Sequence, residues 1–100
     1  MTKIKIITKK NIVIDIQGHA GYDVLGKDIV CAAISAISQY ILLLAYNTDY
    51  LVKHTIDDAS LKMEIKNCPS TRKWVEVFKT VIWDLKEQYP DYIETSYLDL

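Results

Sequence analysis

Across residues 29–48 the chain carries no charged side chain, and this run restricts the possible folds more than any other. Val30, Ile34, Ile37, Ile41 and Leu44 recur at three- and four-residue spacing, and Ile29, Ala33, Ala36, Tyr40 and Leu43 form a second apolar stripe beside them. That pattern predicts a helix covered on several sides. Asp28 stands just ahead as the expected N-cap, because its short carboxylate can accept from the exposed amides of a first turn, and the helix is expected to run to about Tyr46. Ser35, Ser38, Gln39, Asn47 and Thr48 interrupt the run and its alanines are weakly apolar, so a core helix is expected rather than a membrane span.

A chain of 100 residues, 50% of them hydrophobic, has room for one domain, 1–100, with a modest core. A single sheet then has to cover the helix. The apolar surface left over suggests a homodimer contact.

The strands are legible on either side. Residues 3–8 and 12–17 are β-branched runs separated by Lys9-Lys10-Asn11, and Ile12, Ile14 and Ile16 alternate with Val13, Asp15 and Gln17. This fits a hairpin with one buried face. Residues 50–55 and 61–66 predict a second hairpin around Asp57-Asp58-Ala59-Ser60, with Leu61, Met63 and Ile65 alternating against Lys62, Glu64 and Lys66. Asn67-Cys68-Pro69-Ser70 breaks the chain. Over 71–88, Trp74, Val77, Phe78, Val81, Ile82 and Leu85 then recur at helical spacing, with Trp83 flanking them and Pro90 as the stop. Residues 92–98 are an ambiguous last strand. The expected fold is therefore α+β, a mostly antiparallel sheet with two helices in the order β-β-α-β-β-α-(β).

Charge and cysteine usage narrow the function. Twelve basic and 13 acidic residues give a net charge of −1, so no basic field exists to hold nucleic acid. The two cysteines cannot form a multi-bridge framework and no signal-peptide layout opens the chain, which makes a reducing cytoplasm the expected compartment. His19, Cys31, His54 and Cys68 include no close pair and match no zinc pattern. No metal and no cofactor is expected.

The reactive chemistry gathers in one stretch, which holds all three glycines: Gly18-His19-Ala20-Gly21-Tyr22 through Gly26-Lys27-Asp28 to Cys31 and Ser35. With Asp28 as cap, Cys31 falls at the third helical position, where free amides and the positive end of the helix dipole favour a thiolate. A histidine within reach completes the arrangement of thiol proteases, and His19 lies on the loop before it. The glycines then give either ordinary turn freedom or a flap over a peptide, with Gly21, Tyr22 and Gly26 in that loop. A small buried cysteine and a loop histidine bonded to backbone fit the spacing as well. Ser35, one turn on from Cys31, fits a packing role as well as a polar one. Cys68, before a proline and far in sequence from any histidine, is expected exposed and inert, and His54 an edge or packed strand residue. Tyr50, Tyr89, Tyr92 and Tyr97 are candidates for an interface.

The run Gly18-His19-Ala20 followed by Gly26-Lys27-Asp28-Ile29-Val30-Cys31-Ala32-Ala33-Ile34-Ser35 resembles the signature of the ribosomal-processing cysteine protease family Prp, and the resemblance extends over the whole chain in length and element order. It implies an endopeptidase that removes the N-terminal extension of a large-subunit ribosomal protein precursor. Cys31 would be the nucleophile and His19 the base, with Gly18, Asp28 and Ser35 in support, and the enzyme would be a homodimer. The amides at the helix start near Cys31 would be the oxyanion donors. Asp23, Asp57 or Asp58 would meet basic residues of the substrate. The alternatives are a non-enzymatic dimeric assembly or adaptor protein binding through the same groove, and, with weaker support, a thiol redox protein. The redox reading needs Cys31 and Cys68 within bonding distance.

Overall fold

Alternation in the strands decides the architecture. In the computed structural model, which describes residues 1–24 and 28–100, β1 (Thr2–Thr8) and β2 (Asn11–Gln17) bury only every second side chain. One face of the sheet is therefore covered and the other is open to water. Ile4 and Ile6 of β1 face the core beside Ile12, Ile14 and Ile16 of β2. Met63 and Ile65 of β4 (Ser60–Lys66) extend the same row, because Ile14 pairs with Met63 and Ile12 with Ile65. The opposite face carries Lys3, Lys5, Lys62 and Glu94, with a Lys3–Glu94 contact of 3.9 Å.

The sheet has five strands in the order β3-β4-β2-β1-β5. All neighbours are antiparallel except β5 (Ile93–Asp99), which pairs parallel with β1. The ambiguous last strand thus exists and makes the sheet mixed. β3 (Leu51–Asp57) forms the other edge, with an irregularity between Leu51 and Lys53. Its turn is tighter than the four residues expected: Asp57 pairs with Ser60, leaving Asp58 and Ala59 as the loop. Ala59 takes a left-handed φ of 57° to close it, a conformation that a residue with a Cβ rarely adopts.

Helix α1 (Ile29–Asn47) buries Val30, Ile34, Ser38, Ile41, Leu42 and Ala45 against the sheet. By length and a mean hydropathy of 2.0 it is long enough to cross a bilayer, yet these six residues seat it in the core. Ser38 satisfies its hydroxyl by donating to the Ile34 carbonyl at 2.6 Å. The second stripe stays outside: Ile29, Tyr40 and Leu43 are each more than half exposed. Helix α2 (Pro69–Gln88) starts two residues earlier than expected, because Pro69 is its first residue rather than a break before it. That position has no use for an N–H and suits a fixed φ. Phe78 and Ile82 are buried and Trp74, Val81 and Leu85 half-buried, while Val77, expected in the core, is 56% exposed. Trp83 is exposed as well.

Candidate active site

The start of α1 is built around one carboxylate. Asp28 adopts an extended backbone (φ −76°, ψ 102°) and its Oδ1 accepts from the Cys31 amide at 2.9 Å. The other oxygen, Oδ2, accepts from the Tyr22 amide at 3.0 Å and the Asp23 amide at 3.4 Å. One side chain therefore caps the helix and ties down the loop that follows β2. Asp28 is buried, which by itself raises its carboxyl, but the amides of Cys31, Tyr22 and Asp23 and the Cys31 thiol together hold it below the usual carboxylate value.

Cys31 sits at the third helical position, as expected, and is half-buried. Its sulfur accepts from the Ala20 amide at 3.0 Å. The loop and the helix start thus meet at the sulfur, on a residue that also packs against the core. Cys31 is not sealed in the core, and His19 is exposed, with no hydrogen bond to its ring among the described residues. Both residues line a cleft of about 410 Å³.

The far wall of that cleft comes from the β3–β4 hairpin, of which only the acidic residues at 57 and 58 were expected near a substrate. Ile56, Asp57, Ser60 and Leu61 of the β3–β4 hairpin face Ser35 and Gln39 of α1 across it. Ser35 accepts from the Gln39 side chain at 3.0 Å. Of the three carboxylates expected near a substrate, Asp57 lines the cleft, whereas Asp23 turns back to accept from its neighbour Val24 at 2.7 Å.

Gly18 is confined on two counts. Its φ is 90°, and a Cβ there would come within 2.5 Å of the Met1 carbonyl oxygen. Gly21 also has a positive φ, of 77°, but with open space around it. Gly21 and Tyr22, expected in a substrate loop, are not among the residues lining the cleft. Gly26, expected with them, and Lys27 lie outside the described residues.

Two expectations need correction. The amides nearest Cys31 are not free: that of Cys31 is taken by the Asp28 carboxylate and that of Ala32 by the Asp28 carbonyl at 3.0 Å. To serve an oxyanion, either would have to give up or share the bond it already makes. The Ala20 amide is the main-chain donor that reaches the sulfur, and only the folded path of the loop reveals it. Cys68, expected exposed and inert, is half-buried as the N-cap of α2. The Thr71 amide, then the Thr71 hydroxyl, pull its thiol below the ordinary value against the effect of burial. His54 is an exposed residue of the edge strand, outside the cleft.

A thiol at a helix start, served by a loop amide and sharing an open cleft with an imidazole, defines a cysteine hydrolase. Comparison with known proteins specifies which kind. The chain belongs to the cysteine protease Prp family, whose model matches residues 1–94, and it is a cysteine protease. No curated protein matches it in sequence. Among solved structures it is similar to the ribosomal processing protease Prp from S. aureus with a covalently linked product peptide. That match has 19% identity and a TM-score of 0.85, covering 97% of this chain and 99% of that one. The same S. aureus protease with a substrate peptide gives 18% identity and a TM-score of 0.73 over 97% and 99% of the two chains. SMU.848 from Streptococcus mutans gives 22% identity and a TM-score of 0.74, covering 100% of this chain and 96% of that one. At these identities the likeness establishes the fold.

Proposed function

We propose that this cysteine protease removes the N-terminal extension of a large-subunit ribosomal protein precursor, with Cys31 as nucleophile and His19 as general base. The observation that carries the assignment of residues is the Ala20 amide donating to the Cys31 sulfur at 3.0 Å, one residue along the chain from His19. That bond brings the loop carrying His19 onto the sulfur. The thiolate attacks the scissile carbonyl and forms an acyl-enzyme. His19 gives its proton to the departing amine and then takes one from the water that releases the acyl group. The Ala20 donor, 3.0 Å from the sulfur, is close enough to follow charge onto the carbonyl oxygen as the sulfur's charge is spent. Gly18 sets the path of the loop into His19, Asp28 holds loop and helix together, and Ser35 supports the cleft wall. The ribosomal substrate class is supported by the similar S. aureus protein, a ribosomal processing protease, and the N-terminal extension is what the resemblance to the Prp family implies.

A second copy of the chain is the proposed cover for the exposed stripe of α1, where Tyr40, Leu43 and Tyr46 are 64%, 57% and 65% exposed. Sedimentation of the purified protein tests it. The reading assigns neither nucleic acid nor a bilayer as partner, and it puts the enzyme in the cytoplasm, where two free thiols stay reduced.

Incubation of the purified protein with a ribosomal precursor bearing its N-terminal extension is the direct test. Cleavage is expected, with Cys31→Ala and His19→Ala each losing it by about a thousandfold or more while binding of the precursor persists. An adaptor protein that binds the precursor through this groove predicts the opposite pattern, with binding but no cut by any form.

A further inference from the structure

Tyr22 is not among the residues lining the cleft and packs elsewhere. Its ring meets Tyr89 edge-on, with centroids 5.2 Å apart and an interplanar angle of 78°, and Tyr92 in the same way at 5.3 Å and 81°. Both contacts have the geometry that aromatic quadrupoles favour. Tyr89 and Tyr92 stand on a fixed corner. Tyr89 is the C-cap of α2 and donates to the Leu85 carbonyl at 2.8 Å, and the Tyr92 amide donates to the Tyr89 carbonyl at 3.2 Å.

The same corner holds the other end of the loop. The Tyr92 carbonyl accepts from the Thr2 amide at 3.0 Å, and the Thr2 hydroxyl donates to the Gly18 carbonyl at 3.4 Å. Gly18 is further held by its amide, which donates to the Ala59 carbonyl at 2.8 Å. Residues 18–22, with His19 inside them, are thus fixed at Gly18 through Thr2 and at Tyr22 through the two tyrosine rings. A short segment fixed at both ends has few conformations open to it. The side chain between the anchors is then held for reaction.

We infer that Tyr22, Tyr89 and Tyr92 form an aromatic clamp that positions the His19 segment against Cys31, so that three tyrosines outside the cleft set the rate of the reaction inside it. The clamp rests on the dyad proposed above, and Tyr22 is a positioning residue rather than one that touches substrate. The ring is the active part of the side chain, because both contacts are edge-on and need no hydroxyl.

The test compares wild type, Tyr22→Ala, Tyr22→Phe, Tyr89→Ala and the double variant Tyr22→Ala/Tyr89→Ala, all in the full-length protein. Cleavage of the precursor gives kcat and KM, and iodoacetamide labelling followed by peptide mapping gives the alkylation rate of Cys31, with Cys68 as the internal reference. Tyr22→Ala is expected to lower kcat about tenfold with KM within about threefold and to change the Cys31 alkylation rate but not that of Cys68. Tyr22→Phe is expected to restore both, and the double variant to add little to Tyr22→Ala. The clamp is overturned by a phenylalanine variant as impaired as the alanine one, by a loss confined to KM, or by losses at Tyr22 and Tyr89 that simply add. If wild type and Cys31→Ala treat the precursor alike, it is the protease assignment that falls, and the alkylation rates still decide on the clamp.

Discussion

Both helices begin with the same device and use their cysteines in opposite ways. In α1 the cap is Asp28 and the cysteine stands three residues on, while in α2 the cysteine itself is the cap and Thr71 stands three residues on. Because Asp28 satisfies the Cys31 amide, the Cys31 sulfur is left to accept from Ala20, a residue of another segment. The Cys68 sulfur instead faces its own first turn, 3.5 Å from the Thr71 hydroxyl, whose oxygen also accepts from the Cys68 amide at 3.0 Å. A helix start therefore supplies a favourable place for sulfur but does not by itself make a site. What separates the two is which segment is brought to the thiol: the loop that carries His19 at Cys31, and Tyr50, with no imidazole, at Cys68.

That comparison breaks most readily at Gly18, which feeds the loop into α1's site and has no counterpart at α2. Gly18→Ala has to accommodate a left-handed φ and a 2.5 Å approach to the Met1 carbonyl oxygen. A loss of about 2–4 kcal/mol in stability is expected from the two together. Thermal unfolding measures it, and cleavage by the fraction that remains folded should fall as well, because His19 is the next residue. An alanine variant with unchanged melting temperature would mean that the loop takes another path.

The same contrast shows how much of the molecule was legible in the sequence. The cap at Asp28, the position of Cys31 in the first turn and the length of α1 could be read because a capping carboxylate directly precedes an uncharged run. The buried row Ile12, Ile14, Ile16 followed from strict alternation, which permits only one register. The start of α2 was missed because Pro69 reads equally as a break or as a first helical residue, and only the cap geometry of Cys68 decides. Val77 was misplaced for a related reason. Helical spacing admits both Val77 and Phe78 to the inner face, and the packing of the helix on the sheet buries Phe78 and exposes its neighbour. The hairpin at Asp57-Asp58-Ala59-Ser60 was legible but its two-residue turn was not, since Ala59 reaches a left-handed φ without being glycine or asparagine. The Ala20–Cys31 bond depends on the path of the loop between them, and the Tyr22 contacts join segments far apart in the chain, so no local pattern encodes either.

Asp28→Asn sharpens the comparison by weakening one cap and leaving the other intact. Asparagine keeps an oxygen for the Cys31 amide but lacks the second carboxylate oxygen that accepts from Tyr22 and Asp23. A cost of about 1–2 kcal/mol at pH 7 is expected. Its pH dependence has a definite sign. Asp28 ionises more readily folded than unfolded, so its stabilisation is complete above the unfolded carboxylate value of about 4 and is lost as pH falls through the lower folded value. The gap between wild type and variant, followed by denaturant titration, should stay level from pH 7 down to about 5 and close only below about 4. A gap that already closes near neutrality would mean that Asp28 is not the titrating group.

The smallest effect belongs to the other helix. Cys68→Ala removes a capping sulfur that the precursor reaction does not use, so cleavage should stay within about twofold of wild type. Its thiol is pulled down in the folded state by the Thr71 amide and hydroxyl, which means that the folded protein binds the thiolate form preferentially. The stabilisation from that charge is therefore complete above the unfolded thiol value of about 8.5 and disappears as pH falls through the folded one. Wild type should accordingly gain on Cys68→Ala as pH rises across the thiol range, with the same sign as the carboxylate at α1 but in a higher window, since nothing changes there above about pH 5. Iodoacetamide kinetics resolved by residue would complete the contrast. His19→Ala should slow alkylation of Cys31 and leave Cys68 untouched, because only the Cys31 sulfur shares a cleft with the His19 imidazole. Equal slowing of both would mean that the helix starts alone govern the thiols, and that the loop after β2 contributes nothing to the chemistry.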